Sequence, residues 1–143
     1  MKGVSHGNAD KVQARNGWFV GFFVDNDPYR QTRDVEIKWK EHQPRSKKGP
    51  FESNHSARSM SILIRGSFVF EFERQNERQK VLRQEVRLKK PGDYAIWLLG
   101  VKHRGYTQVK NTRMLTIRWP SVPEDHFEVR NQVGTSGKSR GKK

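Results

Sequence analysis

The chain has 143 residues, which fits one domain built around a single hydrophobic core. It contains no cysteine, which excludes a disulfide framework and any thiolate metal site. The 29 Lys and Arg residues outnumber the 15 Asp and Glu residues, and the formal net charge of +14 favours polyanions as partners through long-range attraction.

The apolar runs are short. The longest of them, such as residues 18–24, fall far below the roughly 20 residues that a bilayer-spanning helix needs. No apolar segment follows the first lysine, as it would in a secretory signal peptide. We therefore expect a soluble, cytoplasmic protein with no membrane span.

The two ends of the chain differ in composition from the part between them. Residues 1–16 are polar and nearly free of large apolar side chains, so they are predicted to form a flexible N-terminal arm. Residues 130–143 contain glycine, lysine and arginine but no acid, and are predicted to form a flexible basic C-terminal tail. This tail is either a solvated end or an electrostatic tether to nucleic acid or to a partner. Residues 17–129 form the predicted folded domain.

The first predicted strands follow the arm. Residues 18–24 are aromatic and β-branched, and the turn residues at 25–28 end them. Residues 34–40 alternate with the period of a strand, with Val35, Ile37 and Trp39 on one face and charged side chains on the other. Residues 42–54 are rich in Pro, Lys, Ser and Gly and are predicted to be a long loop.

The second half of the domain also consists of short predicted strands separated by turns. Residues 58–65 and 68–74 are predicted strands, and the Gly66–Ser67 turn between them predicts a β-hairpin. Residues 75–90 tolerate a helix, but their apolar positions favour a turn at 75–77 and then a strand. A turn at 91–93, a strand at 94–98, a loop at 100–106 and a strand at 111–119 follow. Short strands at regular spacing predict an all-β fold, an antiparallel barrel or jelly roll.

Two spacings resemble a known family. They are His55-x3-Ser59-x6-Gly66 and Gly92-x7-Gly100-x2-His103. Together they resemble the two signature motifs of the cupin superfamily, and the separation between them is that of a small single-domain cupin. In this resemblance His55 and Ser53 stand at the two histidine positions of the first motif, Ser59 stands at its glutamate, and Thr107 stands at the asparagine of the second.

The resemblance implies a metal site inside the barrel, made by three histidines and one glutamate. Only His55 and His103 match that set, and a stable site for a first-row metal wants at least three protein ligands. We therefore expect a degenerate motif and no cofactor or tightly bound divalent metal. Any metal that did bind would use His55 and His103, with Glu52, Glu36 or His42 as the side chains able to complete the site.

The same positions predict a pocket. Strand alternation places Ser59 and Ser61 on one face, and the motif positions add polar side chains from both halves of the barrel. The predicted ligand-binding residues are Ser53, His55, Ser59, Ser61, His103 and Thr107. A cavity lined by hydroxyl and imidazole groups suits a small polar or anionic ligand.

Three functions follow from these observations. The first is a cupin-like protein that binds a small ligand in its barrel without strong catalysis. The second is a metal-dependent cupin enzyme of the dioxygenase or isomerase type. The third is a nucleic-acid-associated protein whose basic tail binds weakly and without sequence preference. A homodimer formed at an edge strand such as residues 18–24 is compatible with any of them.

Overall fold

A computed structural model describes residues 1–45 and 47–128, and all regular elements in this part of the chain are strands. Their order is β1 (Trp18–Val20), β2 (Glu36–His42), β3 (Glu52–Asn54), β4 (Arg58–Arg65), β5 (Phe68–Gln75), β6 (Val81–Leu88), β7 (Tyr94–Trp97), β8 (Lys102–Tyr106), β9 (Thr112–Trp119) and β10 (His126–Glu128). None of the described residues belongs to a helix long and apolar enough to cross a membrane.

The strands form two antiparallel sheets of five strands each. The first sheet has the order β1-β2-β9-β4-β7, and the second has the order β10-β3-β8-β5-β6. Neighbouring strands are mostly distant in sequence, because the chain passes from one sheet to the other as it proceeds. The fold is therefore an all-β antiparallel jelly roll, as the sequence predicts.

A hydrophobic core fills one end of the space between the sheets. It contains side chains from five strands of both sheets: Leu63, Phe68, Phe70, Leu88, Ala95, Trp97 and Met114. The rings of Phe70 and Trp97 bring the two sheets into contact, with centroids 5.2 Å apart. The alternation of phenylalanines that predicts β5 thus places aromatic rings of the second sheet against Trp97 of the first.

The first sheet is unusual because its inner face is largely polar. β2 turns Glu36 and Lys38 toward the interior, whereas Ile37 and Trp39 lie on the outer face. Ile37 stands opposite Ile117 of β9, which in turn stands opposite Met60 of β4. Apolar side chains therefore continue across the outside of this sheet, while charged and hydroxyl groups share its inside with core side chains such as Leu63 and Met114.

The predicted hairpin at Gly66–Ser67 is wrong. β4 pairs with β7 and β9, whereas β5 pairs with β6 and β8, so the turn carries the chain from one sheet to the other. Gly66 has a φ of +85°, and a Cβ there would lie 2.7 Å from the Cα of Thr112. A tight turn with this residue pair is compatible with a hairpin and with a sheet crossing, and only the long-range pairing of β4 with β9 decides between them.

Other predicted boundaries also change. The strand predicted at 18–24 ends at Val20, and the loop predicted at 100–106 contains β8. The loop predicted at 42–54 ends in the three-residue strand β3. The sequences of β3 and β8 carry little strand signal. Their extended conformation comes from pairing with each other and with their neighbours in the second sheet.

The ends of the chain were predicted as flexible. In the structure, the carboxylate of Asp10 lies 3.1 Å from Arg113 of β9, and Arg30 donates a 2.8 Å hydrogen bond to the carbonyl of Val12. The flexibility of residues 1–16 stays a prediction. The basic tail predicted at 130–143 lies outside the described residues.

Candidate functional site

A cavity of about 120 Å³ that is partly open to solvent lies between the sheets, beside the hydrophobic core. Apolar rings and Met114 form its floor, and cationic, hydroxyl and imidazole groups form its walls. The residues that line it are Lys38, His42, Glu52, Ser61, Phe68, Phe70, Trp97, His103, Arg104, Gly105, Met114, Thr116 and Arg118. The cavity thus combines a hydrophobic base with polar groups that converge from five strands.

Strand register explains how the polar wall is built. Lys38 stands opposite Thr116, and Thr116 stands opposite Ser61, so one row of inward side chains crosses β2, β9 and β4. The hydroxyls of Ser61 and Thr116 hydrogen bond to each other at 2.7 Å. The next row contains Arg118, which is two residues further along β9 on the same face.

Arg118 is a buried cation with an incomplete set of partners. Its Nη1 donates to Oε1 of Glu36 at a long 3.4 Å, and its Cζ lies 4.6 Å from the centroid of the Trp18 ring. Burial lowers the pKa of Arg118 and raises that of Glu36, because both charged forms lose hydration. Each group offsets part of the other's loss, so the pair remains an ion pair inside the protein.

Lys38 is the second cation of the cavity. Its Nζ lies 5.0 Å from the centroid of the same Trp18 ring. Burial, helped by the positive charges of Lys40 and Arg118, lowers the pKa of Lys38 to about 8. A substantial fraction of this amine is therefore neutral near physiological pH, unlike that of an ordinary surface lysine.

Unpaired polar atoms lie beside these cations. Arg118, Ser59 and Trp97 stand in one row across β9, β4 and β7. Arg118 Nε, Ser59 Oγ and Trp97 Nε1 are buried and have no hydrogen-bond partner among the described residues. Such groups are rare in folded proteins, because each one costs the desolvation free energy of a polar atom. Two of the three are pure N–H donors, so the row is suited to an acceptor-rich group.

Two imidazoles lie in the cavity, but only one of them was predicted there. The His103 ring lies 4.8 Å from that of Trp97, and its Nδ1 is 3.2 Å from the carbonyl oxygen of Val101. The second imidazole is that of His42, whose ring contacts Phe68 edge-on at 4.9 Å. Burial and the nearby lysines lower the pKa of His42 to about 3, so this imidazole is neutral at physiological pH.

The structure brings together some of the predicted ligand-binding residues. Ser61 and His103 line the cavity, and Ser59 is buried in the adjoining row. Ser53 is buried too, but its neighbour Glu52 is the residue of β3 that lines the cavity. Alternation along β3 therefore directs Ser53 to the other side of the strand.

Thr107 and His55 lie elsewhere. Thr107 is buried, and its hydroxyl hydrogen bonds to Thr112 at 3.1 Å, away from the cavity lining. The placement of His55 beside His103 in one cavity is wrong, because the His55 side chain is exposed. The loop after β3 wraps around Asp125, whose carboxylate accepts hydrogen bonds from the backbone of Ser56 and Ala57. This fold of the loop turns His55 toward the solvent.

Sequence reasoning missed Lys38, Trp97 and Arg118 as site residues. A signal for Lys38 was present in the alternation of β2, but a charged strand face is normally the solvated one. For Arg118 the signal was its parity with Met114 and Thr116 along β9. Both signals become informative only when the inside of the barrel is known to be polar.

The residues present do not fit the metal centre that the cupin resemblance implies. Among the residues described, no group of three or more His, Cys, Asp or Glu side chains is placed to hold a metal ion. His42, Glu52 and His103 share the cavity, but Lys38 and Arg118 share it as well and would repel a divalent cation. The expectation that no metal is tightly bound stays a prediction.

Comparisons with known proteins support the fold. A double mutant of the 3,4-ketoisomerase QdtA from Thermoanaerobacterium thermosaccharolyticum, in complex with TDP, has a TM-score of 0.52 and 12% identity, covering 64% of this chain and 63% of that one. An uncharacterized protein with a double-stranded beta-helix domain from Klebsiella pneumoniae has a TM-score of 0.51 and 16% identity, covering 69% and 77%. A mutant of Bacillus subtilis oxalate decarboxylase has a TM-score of 0.52 and 13% identity, covering 68% and 24%.

These similarities establish a cupin-like jelly-roll fold. The chain spans less than two thirds of the ketoisomerase and about a quarter of the decarboxylase. No protein-family model matches the sequence, and no curated protein matches it.

Proposed function

We propose that this cupin-like barrel binds a small anionic metabolite, most simply a carboxylate, in the cavity that contains Lys38 and Arg118. The observation that carries the proposal is the row of buried N–H donors, Arg118 Nε and Trp97 Nε1, that have no acceptor among the described residues. An anion with carboxylate oxygens supplies the acceptors that these donors lack.

The charge of the cavity supports an anion over a neutral ligand. Lys38 and Arg118 lie on one wall, while His42 is held neutral by its lowered pKa. The carboxylate of Glu36 partly neutralises the positive charge of Arg118, but only through a long contact of 3.4 Å. Glu52 also lines the cavity, but Lys38, Arg104 and Arg118 outnumber it, so a bound carboxylate adds a negative charge where positive charges are in excess.

The size of the cavity limits the ligand. A volume of about 120 Å³ is comparable to that of roughly four water molecules in the liquid. A small organic acid fits within this volume, whereas a nucleotide such as the TDP bound by the similar ketoisomerase would extend beyond it. Ser61, Thr116 and His103 supply hydrogen-bonding groups that orient it.

The test compares small carboxylates with their uncharged amides in titration calorimetry on the full chain. Carboxylates are expected to bind and the amides are not. Arg118→Met is expected to weaken binding at least about thirtyfold, because loss of a buried charged partner costs about 2 kcal/mol or more. Arg58→Met on the exposed surface makes the same change in net charge and serves as the matched control.

Loss of Arg118 leaves Glu36 buried without its cation, so the single variant is at risk of unfolding. The double variant Glu36→Gln, Arg118→Met removes both charges and keeps the test decisive. Carboxylate binding that is equal in the double variant and in Arg58→Met would contradict the proposal, as would equal binding of acids and amides.

Metal analysis tests the non-metal part of the proposal. The purified chain is expected to hold much less than one equivalent of iron, manganese, nickel or zinc, and treatment with a chelator is expected to leave carboxylate binding unchanged. The reason is that the cavity places two cations beside His42 and His103. Stoichiometric metal that is lost together with binding would support the metal-dependent enzyme instead.

A further inference from the structure

We propose that Lys38 is an amine nucleophile that forms an imine with the carbonyl group of a small 2-oxo acid held in the barrel cavity. This inference rests on the proposed function, since it places the acid's carboxylate on Arg118. It adds a covalent step and a chemical class of ligand, a carboxylate with an adjacent ketone or aldehyde.

The position of Lys38 supports the inference. Lys38 lines the cavity, and Trp18 is its register partner on β1. The same indole ring has the guanidinium of Arg118 at 4.6 Å and the Nζ of Lys38 at 5.0 Å. Both cations therefore border one small space, in which a carboxylate at Arg118 brings the neighbouring carbonyl carbon toward the lysine amine.

The surroundings of Lys38 make its amine easier to deprotonate than that of an ordinary surface lysine. Its pKa of about 8 is produced by burial first and by the charges of Lys40 and Arg118 second. The indole face of Trp18 is an apolar neighbour that also makes a cation–π contact with the protonated form. Lys38 is half-buried. A lysine with a lowered pKa is the usual form of an imine-forming lysine, because only the neutral amine has a free lone pair.

Imine formation at Lys38 is a condensation that releases water and needs no oxidant or reductant. The Nζ lone pair attacks the carbonyl carbon and gives a carbinolamine. Both hydrogens of the neutral amine then leave with the former carbonyl oxygen as water, so one C=O bond is replaced by one C=N bond. Protonation of the imine gives an iminium ion, which keeps the positive charge opposite the ligand's carboxylate.

Several charged or titratable groups face this amine and influence its pH dependence. They are Glu36, Lys40 and His42 on β2, Arg118 on β9, Glu52 on β3, and His103 and Arg104 on β8. The cations outnumber the acids, so the charged amine is disfavoured and the pKa of Lys38 lies below that of an ordinary lysine. Adduct formation is expected to rise between about pH 6 and about pH 8, as Lys38 loses its proton.

The experiment traps the imine with pyruvate as the probe and sodium cyanoborohydride as the reductant. The full chain is incubated with both, and the modified lysine is located by peptide mass spectrometry. Lys38 is expected to be labelled at least about tenfold faster than exposed lysines, because its neutral fraction near neutral pH is far larger. Lys38→Arg is expected to abolish this fast labelling, and Lys40→Arg, on the same face of β2, is expected to retain it.

Lactate separates the two proposals. It carries the carboxylate of pyruvate without the ketone, and its binding is measured by calorimetry without reductant. If pyruvate and lactate both bind but Lys38 is not labelled faster than surface lysines, the imine inference fails and the proposed function stands. If neither acid binds and labelling is spread evenly over the lysines, both fail.

Discussion

At the scale of single residues, the cavity depends on a position that must have no side chain. Gly105 lines the cavity, and a Cβ added there would lie 2.2 Å from Cε1 of Phe68 and 3.1 Å from Cδ1 of Phe70. Both rings belong to the hydrophobic core, where they have little freedom to move. Gly105 therefore determines how closely β8 approaches the aromatic floor of the cavity.

Gly105→Ala is expected to lower the free energy of unfolding by about 1–3 kcal/mol, the usual cost of overpacking a dense core. Gly49→Ala is the matched control, since a Cβ at Gly49 meets nothing within 4 Å, and its effect is expected to stay within about 0.5 kcal/mol. Urea unfolding at equilibrium measures both. Equal stability of the two variants would show that β8 can shift to admit the methyl group.

His42 makes folding sensitive to acid. Burial, together with Lys38, Lys40 and Arg45, lowers its pKa from 6.5 to about 3, while the unfolded chain keeps the ordinary value. Below pH 6.5 the unfolded chain therefore takes up a proton that the folded chain does not accept until about pH 3. The contribution of His42 to stability is complete above pH 6.5 and is lost as the pH falls from 6.5 toward 3.

His42→Phe removes this titration and keeps an aromatic ring against Phe68. Between about pH 6 and about pH 4, the free energy of unfolding of the native chain is expected to fall more steeply than that of the variant, by up to about 1.4 kcal/mol per pH unit. Urea unfolding at a series of pH values measures the difference. Parallel curves for the two proteins would mean that His42 is protonated in the folded state.

At the scale of elements, the first sheet leaves an apolar outer face that ends at the edge strand β7. Ile96 stands opposite Met60, and Tyr94 stands opposite Ile62, so the outer rows of the sheet reach this edge. Tyr94, Ile96 and Leu98 are all more than half exposed. The opposite edge, β1, has only three residues, and its Trp18 is buried. Of the two edges, β7 therefore offers the better surface for a second copy of the chain.

We expect the chain to self-associate through β7 rather than through residues 18–24. Ile96→Lys is expected to shift the protein toward the monomer in analytical ultracentrifugation. Val81→Lys makes the same kind of change on β6, one of the two edge strands of the other sheet, and is expected to leave the association unchanged. A monomeric native chain, or equal effects of the two variants, would contradict a β7 interface.

At the scale of the whole molecule, charge is the dominant property. The excess of 14 positive charges is distributed over the entire sequence, and residues 130–143 contribute five Lys and Arg residues without any acid. We expect such a polycation to attract nucleic acid, since neutralising phosphates releases counterions whatever the base sequence. This attraction is independent of the cavity, so both properties can exist in one chain.

Deletion of residues 130–143 is expected to weaken binding to DNA and RNA at low salt and to leave carboxylate binding in the cavity unchanged. Binding of the full chain is expected to fall more than about tenfold between about 50 mM and about 200 mM salt. Fluorescence anisotropy with an oligonucleotide measures both effects. Nucleic-acid binding that is absent at low salt, or unaffected by the deletion, would exclude a role for this segment as a tether.

Much of the fold was predictable because strand periodicity is a local property. The alternation of Phe68, Phe70 and Phe72 predicts β5, and that of residues 34–40 predicts β2 to within two residues. The candidate site was predictable only in part. Ser61 and His103 are in the cavity, whereas His55 is at the surface, because the loop that carries it is organised by Asp125, about 70 residues further along the chain.

The sequence by itself determined that this protein is built from short strands, has a net charge of +14 and carries two spacings that resemble the cupin motifs. Only the tertiary structure decided that the charged face of β2 lies inside the barrel and that Lys38, Trp97 and Arg118 meet there. The physical reason is that alternation separates the two faces of a strand without saying which one is inside. That choice is made by the register between strands far apart in sequence, which forms only when the sheets pack together.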